Sequence, residues 1–80
     1  MEKDFFTLNR LPIGKKGEVL KITADGSERR RMLDLGLVQG TIVEALQKSP
    51  SGDPIAYFIR GAVIALRGED AMKILIKCSA

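Results

Sequence analysis

The chain has 80 residues, of which 45% are apolar and 29% are charged, values that are ordinary for a soluble globular domain. This length allows one domain, expected to span residues 1–80, and leaves little room for a deep substrate cleft. The net charge of +3, from 13 basic and 10 acidic side chains, keeps nucleic acid under consideration, although a modest surplus of lysine gives the same value.

The sequence excludes a disulfide framework and a membrane-spanning segment. Cys78 is the only cysteine, so packing alone must hold the fold, and we expect a reducing, cytoplasmic location. Residues 1–10 mix charges of both signs and lack the apolar region of a signal peptide. The longest aliphatic run, Ala62–Leu66, is far shorter than the ~20 residues that cross a bilayer. Any membrane role must therefore go through a partner.

In chain order, the first elements are a turn, a strand and a short helix. A Gly-Lys-Lys-Gly turn at residues 14–17 precedes a β-branched segment at residues 18–23, which predicts a strand. Ser27 is the expected N-cap of the helix that follows. Gly36 suits the left-handed position after the last turn, and Leu37 can pack back onto that turn. Such a short helix must dock on the rest of the fold to be stable.

Three further strands and a second helix complete the prediction. The strands lie at residues 41–47, 55–59 and 62–66. Their short connections favour antiparallel hairpins. The last two strands are apolar on both faces, so we expect a closed or covered sheet. Glu69 and Asp70 open a predicted helix that runs through Leu75, and the tail at residues 76–77 is expected to return as an edge strand.

This pattern predicts a mainly β fold, a small SH3-like β-barrel of about five antiparallel strands with two short helices. An OB-fold is the main alternative, but it usually needs longer strands and more residues.

The residue types argue against an enzyme. The chain has no histidine, which removes the commonest general base and the commonest transition-metal ligand. One cysteine and three methionines give no sulfur cluster with ligand spacing. No phosphate-binding loop or hydrolase triad can be built. We expect no catalytic residue, no metal ligand and no cofactor.

Three consecutive arginines lie on the first predicted helix. Arg29, Arg30 and Arg31 project about 100° apart, which is typical of a solvated helix surface. A docking surface is the second interpretation, because arginine offers forked donors to carboxylates and phosphates. Arg60 and Arg67 flank the last strand and could belong to the same surface.

The aromatic residues give a weak signal for nucleic acid. Tyr57 and Phe58 are neighbours on one strand and therefore face opposite ways. One is expected in the core, and the other can be exposed. Base-stacking modules usually present several aromatic side chains on one sheet face.

The whole sequence resembles the FeoA family. The segments that carry the resemblance are Thr7-Leu8, Gly14 with Gly17-Glu18-Val19, residues 30–37, Gly40-Thr41, Gly52-Asp53-Pro54, residues 60–67 and residues 71–76. Each segment is weak alone, but the ordered set is specific and covers nearly the whole chain. Val38-Gln39-Gly40 departs slightly, since many members have proline at the middle position.

The resemblance implies a cytoplasmic SH3-like domain that works alongside FeoB, the membrane ferrous-iron permease with a cytosolic GTP-binding domain. It also implies a family-level association with transition metal ions, and it brings no settled catalytic residues. We expect the protein to bind the cytosolic region of the FeoB-type permease and to modulate transport or its GTP cycle. The expected partner-binding residues are Arg29, Arg30, Arg31, Leu37, Asp53, Tyr57, Arg60 and Arg67.

Several of these residues also have a structural interpretation. Leu37 can be a helix staple, Asp53 a turn residue and Arg60 a hairpin residue. A homo-oligomer is a further expectation, because small barrels with apolar edge strands can pair.

One alternative belongs to a different class. Residues 14–22 look like the start of a KOW-type barrel, which would bind RNA or a ribosomal or transcription partner. Acidic residues are interleaved throughout the chain, so nucleic acid is not the expected partner. Direct carriage of iron is disfavoured by the missing ligands.

Overall fold

The computed structural model describes residues 5–78. Residues 1–4 and 79–80, the two ends of the predicted domain, lie outside the described residues. The elements in chain order are β1 (Phe5–Thr7), a 3₁₀-helix (Leu8–Arg10), β2 (Lys16–Ile22), α1 (Gly26–Asp34), β3 (Ile42–Lys48), β4 (Ile55–Ile59), β5 (Ala62–Leu66), α2 (Gly68–Ala71) and β6 (Ile74–Cys78).

The strands form one antiparallel sheet in the order β1-β6-β2-β3-β4-β5. The prediction of a mainly β fold with two short helices is confirmed. The described residues contain six strands instead of about five, because Phe5–Thr7 pairs with β6. A strand of three residues is too short to show an alternating pattern.

The C-terminal segment differs from its prediction. α2 ends at Ala71, and Ile74, which is predicted to lie in the helix, begins β6 instead. β6 lies between β1 and β2 and not at an edge. Ile74 and Ile76 are fully buried. Strand pairing on both sides and the burial of two β-branched side chains therefore outweigh the local helix signal.

One apolar core joins the sheet to both helices. Its members include Leu8, Val19, Met32, Val43, Tyr57, Leu66, Ala71 and Ile76. Each large aliphatic side chain buried in this way contributes about 1.5–3 kcal/mol. The pairing register shifts between Val19 and Lys21 and between Ala45 and Gln47, and such irregularities bend a strand and allow a small sheet to curl around its core.

The two ends of α1 have different hydrogen-bond patterns. The amide of Arg29 donates to the carbonyl of Asp25, so the helix begins earlier than expected and Ser27 is not the N-cap. At the other end, the amides of Gly36 and Leu37 donate to the carbonyls of Leu33 and Met32. This is the Schellman pattern expected for a glycine at positive φ.

Candidate partner-binding surface

The three consecutive arginines of α1 point to three different surroundings. Arg29 Nη1 donates to the carbonyl of Ile22 over 3.2 Å. Arg31 Nη2 lies 3.5 Å from Asp70 Oδ2 and so connects α1 to α2. Arg30 is exposed, and within residues 5–78 its side chain makes no ion pair or hydrogen bond. Arg30 is therefore the arginine of α1 that is free to meet a partner.

Arg60 lies across the end of α1. Its φ of +47° places it in a tight turn with Gly61, whose φ is +85°. A Cβ atom added to Gly36 would stand 2.5 Å from Arg60 Cδ, so the aliphatic stem of Arg60 packs directly on that glycine. Arg60 is thus a hairpin residue, and its aliphatic stem lies at the junction of α1 and the β4–β5 turn.

Asp53 and Arg67 lie together at the start of α2. Asp53 Oδ1 accepts a hydrogen bond of 2.6 Å from the amide of Gly68, the first residue of α2. Asp53 Oδ2 lies 3.7 Å from Arg67 Nη1. Asp53 therefore ties the β3–β4 loop to α2, and most of the Arg67 side chain stays exposed.

Leu37 and Tyr57 serve the core and not the surface. Both are 0% exposed, so neither side chain can touch a partner of the folded protein. The hydroxyl of Tyr57 donates to the carbonyl of Leu8 over 3.3 Å. Burial, with a smaller contribution from the Asp53 carboxylate, raises the pKa of Tyr57 to about 12.

The outer face of the sheet carries an apolar patch that the sequence did not predict. Ile42, Phe58 and Val63 are 46%, 42% and 66% exposed. Phe58 on β4 lies directly opposite Val63 on β5. This face of the sheet is therefore exposed at these three side chains within the described part of the chain. Alternation along β4 separates Tyr57 from Phe58, but only the tertiary structure shows which of the two faces outward.

A shallow groove adjoins this patch. Its volume is about 260 Å³, and it is lined by Lys16, Ile42, Glu44, Phe58, Arg60 and Gly61. A neighbouring depression of about 420 Å³ shares Ile42 and Arg60 with it. Apolar side chains next to two cations can receive a segment in which an apolar residue adjoins a carboxylate.

Several other cations are paired with carboxylates. Lys73 Nζ lies 2.6 Å from Glu28 Oε2, and this hydrogen bond raises the pKa of Lys73. Lys77 Nζ lies 4.0 Å from Glu18 Oε1. Within residues 5–78 these ion pairs offset part of the positive charge that nucleic-acid binding would use. The RNA-binding alternative stays a prediction.

The described residues hold no group of three or more acidic or cysteine side chains placed to bind a metal ion. No helix between residues 5 and 78 has the length and apolar character to cross a membrane.

Comparison with known proteins identifies the relatives of the chain. The family profile of the FeoA domain matches residues 6–78. The Fe(2+) transport protein A/Fe(2+) transporter FeoB fusion protein of Porphyromonas gingivalis is 33% identical over 70 residues. The match covers 88% of the chain and 8% of the fusion protein, so the chain spans a small part of that relative.

Solved structures agree with this match. The FeoA-like protein of Clostridium acetobutylicum superposes with a TM-score of 0.89 at 34% identity, over 99% of this chain and 92% of the other. FeoA of Stenotrophomonas maltophilia, a prokaryotic SH3 domain protein solved with zinc, superposes with a TM-score of 0.81 at 28% identity, over 90% and 89% of the two chains. The SH3-like fold is confirmed.

Proposed function

The chain belongs to the FeoA family of ferrous-iron-transport accessory proteins, and from this we propose that it binds the cytosolic region of a FeoB-type permease. In this proposal the protein acts in the cytoplasm and modulates transport or the GTP cycle of the permease. It reaches the membrane only through that partner.

The observation that carries the proposal is the fusion relative. In the Porphyromonas gingivalis protein, transport protein A and transporter FeoB share one chain. Covalent linkage keeps two modules at a high effective concentration, which favours their contact. Where the two modules are separate chains, a surface contact must supply this association.

The exposed arginines support the proposal at the level of residues. Arg30, Arg60 and Arg67 present guanidinium groups at the surface, and guanidinium pairs well with carboxylates of a partner. Leu37, Asp53 and Tyr57 stabilise the elements that present these arginines. Arg29 and Arg31 are partly engaged by Ile22 and Asp70.

Charge reversal at Arg30 tests the proposal. We expect Arg30→Glu to weaken binding of the permease's cytosolic region about five- to tenfold, because an attractive rim contact becomes repulsive. The melting curve should stay unchanged, since Arg30 has no ion pair within the described residues. Binding is measured by titrating the isotope-labelled protein with that region, with GTP and with GDP, and following amide shifts.

A matched control is Lys48→Glu, which makes the same change of charge at the end of β3. If Arg30→Glu and Lys48→Glu bind the permease's cytosolic region with equal affinity, α1 is not part of the interface. The absence of saturable shifts in both nucleotide states would overturn the proposed partner. GTP hydrolysis by the permease region, with and without the protein, tests the proposed modulation.

A further inference from the structure

β5 is an edge strand. It is the last strand in the sheet order, and within residues 5–78 it is hydrogen-bonded only to β4. The turn between the two strands contains Arg60 and Gly61, both at positive φ, as a type I′ turn requires. In such a two-residue hairpin the flanking pair, Ile59 and Ala62, is hydrogen-bonded.

The hairpin geometry fixes which backbone groups of β5 face the free edge. Hydrogen-bonded and non-bonded pairs alternate along an antiparallel ladder. Ile64 is opposite Tyr57 in a bonded pair, while Val63 and Ala65 are opposite Phe58 and Ala56 in non-bonded pairs. The N–H and C=O groups of Val63 and Ala65 therefore point away from β4.

Within residues 5–78, β5 carries no charged residue, proline or bulge that would protect its free edge against strand addition. Proteins protect edge strands with charged residues, proline or bulges. β5 has the sequence Ala-Val-Ile-Ala-Leu, and its register with β4 runs without a shift over all five pairs. Val63 on this strand is 66% exposed. The edge thus offers two outward donors and two outward acceptors beside an apolar side chain.

The charges around β5 specify what the edge can receive. Arg60 precedes the strand and Arg67 follows it. Arg60 makes no ion pair in the described part of the chain, and the Arg67 side chain is 68% exposed despite its contact with Asp53. We infer that β5 binds an extended partner segment as an added strand, apolar in its centre and flanked by carboxylates that pair with these two arginines.

The same charges disfavour a second copy of this chain as the occupant. An antiparallel pair of two β5 strands, with Ile64 at its centre, would place Arg60 of one copy beside Arg67 of the other at both ends. Gly68 and not Arg67 then lies directly opposite Arg60, so the two arginines occupy adjacent positions, and the Coulomb repulsion between these exposed cations opposes the pairing. An acidic-flanked segment relieves this repulsion, whichever protein supplies it, so the inference goes beyond the proposed function and does not depend on it.

A synthetic peptide tests the inference directly. A segment of alternating valine and threonine, flanked by glutamates, is titrated into the isotope-labelled full chain. We expect saturable shifts centred on Val63 and Ala65, and slower hydrogen exchange at these two amides, because both gain acceptors. A matched peptide with lysines in place of the glutamates should bind at least about tenfold more weakly.

Variants of the edge give an independent readout. Val63→Pro removes one outward donor and no bond to β4, and we expect it to abolish peptide binding. Val63→Thr keeps the donor and should bind within about threefold of the parent. If Val63→Pro does not fold, Ala65→Lys blocks the same edge by charge.

Three outcomes would overturn the inference. The first is equal binding of the two peptides. The second is a set of shifts that leaves the Val63 and Ala65 amides unchanged. The third is a concentration-dependent dimer that Val63→Pro dissolves, since a second copy would then occupy the edge. None of these outcomes bears on the interaction with the permease.

Discussion

Tyr57 is among the partner-binding residues expected from the sequence, but in the structure it is a core residue. Its phenol is fully buried, and its hydroxyl donates to the carbonyl of Leu8, 49 residues away along the chain. This bond ties β4 to the 3₁₀-helix that follows β1. An ionised phenolate at this position would lose water and gain no donor, which is why burial raises the pKa of Tyr57 to about 12.

The raised pKa of Tyr57 predicts a loss of stability in alkali. The unfolded phenol titrates near its ordinary pKa of about 10, while the folded phenol holds its proton to about pH 12. The contribution of the Tyr57 phenol to the free energy of unfolding is therefore constant below about pH 10. It is lost as pH rises towards about 12, by up to about 2–3 kcal/mol. Urea unfolding of the parent and of Tyr57→Phe at about pH 9 and about pH 11 measures it.

The difference in stability between the parent and Tyr57→Phe carries the prediction, because any other effect of pH acts on both proteins alike. At about pH 9 we expect Tyr57→Phe to be about 1 kcal/mol less stable, because the Leu8 carbonyl loses its donor. At about pH 11 this gap should close or reverse. Parallel pH profiles would show that Tyr57 does not titrate differently in the two states.

At the scale of elements, the end of α1 is joined to the β4–β5 hairpin by a glycine and an arginine. Gly36 has a φ of +99°, and the stem of Arg60 occupies the space that a Cβ would need. Gly40 provides a natural comparison, because its φ is +92° and a Cβ there would meet nothing within 4 Å.

This comparison separates backbone strain from packing. Gly40→Ala should cost about 1–2 kcal/mol for the left-handed conformation alone. Gly36→Ala should cost about 1 kcal/mol more, because Arg60 must leave its rotamer. Thermal unfolding of both variants measures the difference, and adding Arg60→Ala to Gly36→Ala should recover the extra loss. Equal losses of stability in the two glycine variants would mean that Arg60 changes its rotamer at no cost.

At the scale of the whole molecule, the two ends of the described chain form neighbouring strands. β6 lies between β1 and β2, so the last strand of the described chain pairs with a neighbour on both sides. Gly17 on β2 approaches β6 closely, since a Cβ there would lie 2.7 Å from Ile76 Cδ1. These contacts join segments that are distant in sequence, so we expect the described chain to unfold in one cooperative transition.

The central place of β6 predicts a large cost for shortening Ile76. We expect Ile76→Ala to destabilise the protein by about 2–5 kcal/mol, because the side chain is fully buried and a cavity remains. Ile13→Ala is the matched control. Ile13 is 45% exposed, and its loss should cost less than about 1 kcal/mol. Denaturant unfolding compares the two, and similar losses would contradict the burial of β6.

The sequence alone determined the features that depend on local patterns. The turn at Arg60-Gly61, the strands on either side of it and the glycine that ends α1 all follow from residue type and alternation. The ordered motifs were sufficient to identify the family, and the missing histidine and single cysteine argued against catalytic and metal-binding machinery.

The tertiary structure decided everything that depends on which distant residues meet. β6 lies inside the sheet, and Leu37 and Tyr57 lie in the core. Phe58, Ile42 and Val63 are exposed. A local pattern assigns alternate residues to two faces, but it does not say which face the rest of the chain will cover. That choice follows from long-range strand pairing, and it leaves the edge of β5 open among the described residues.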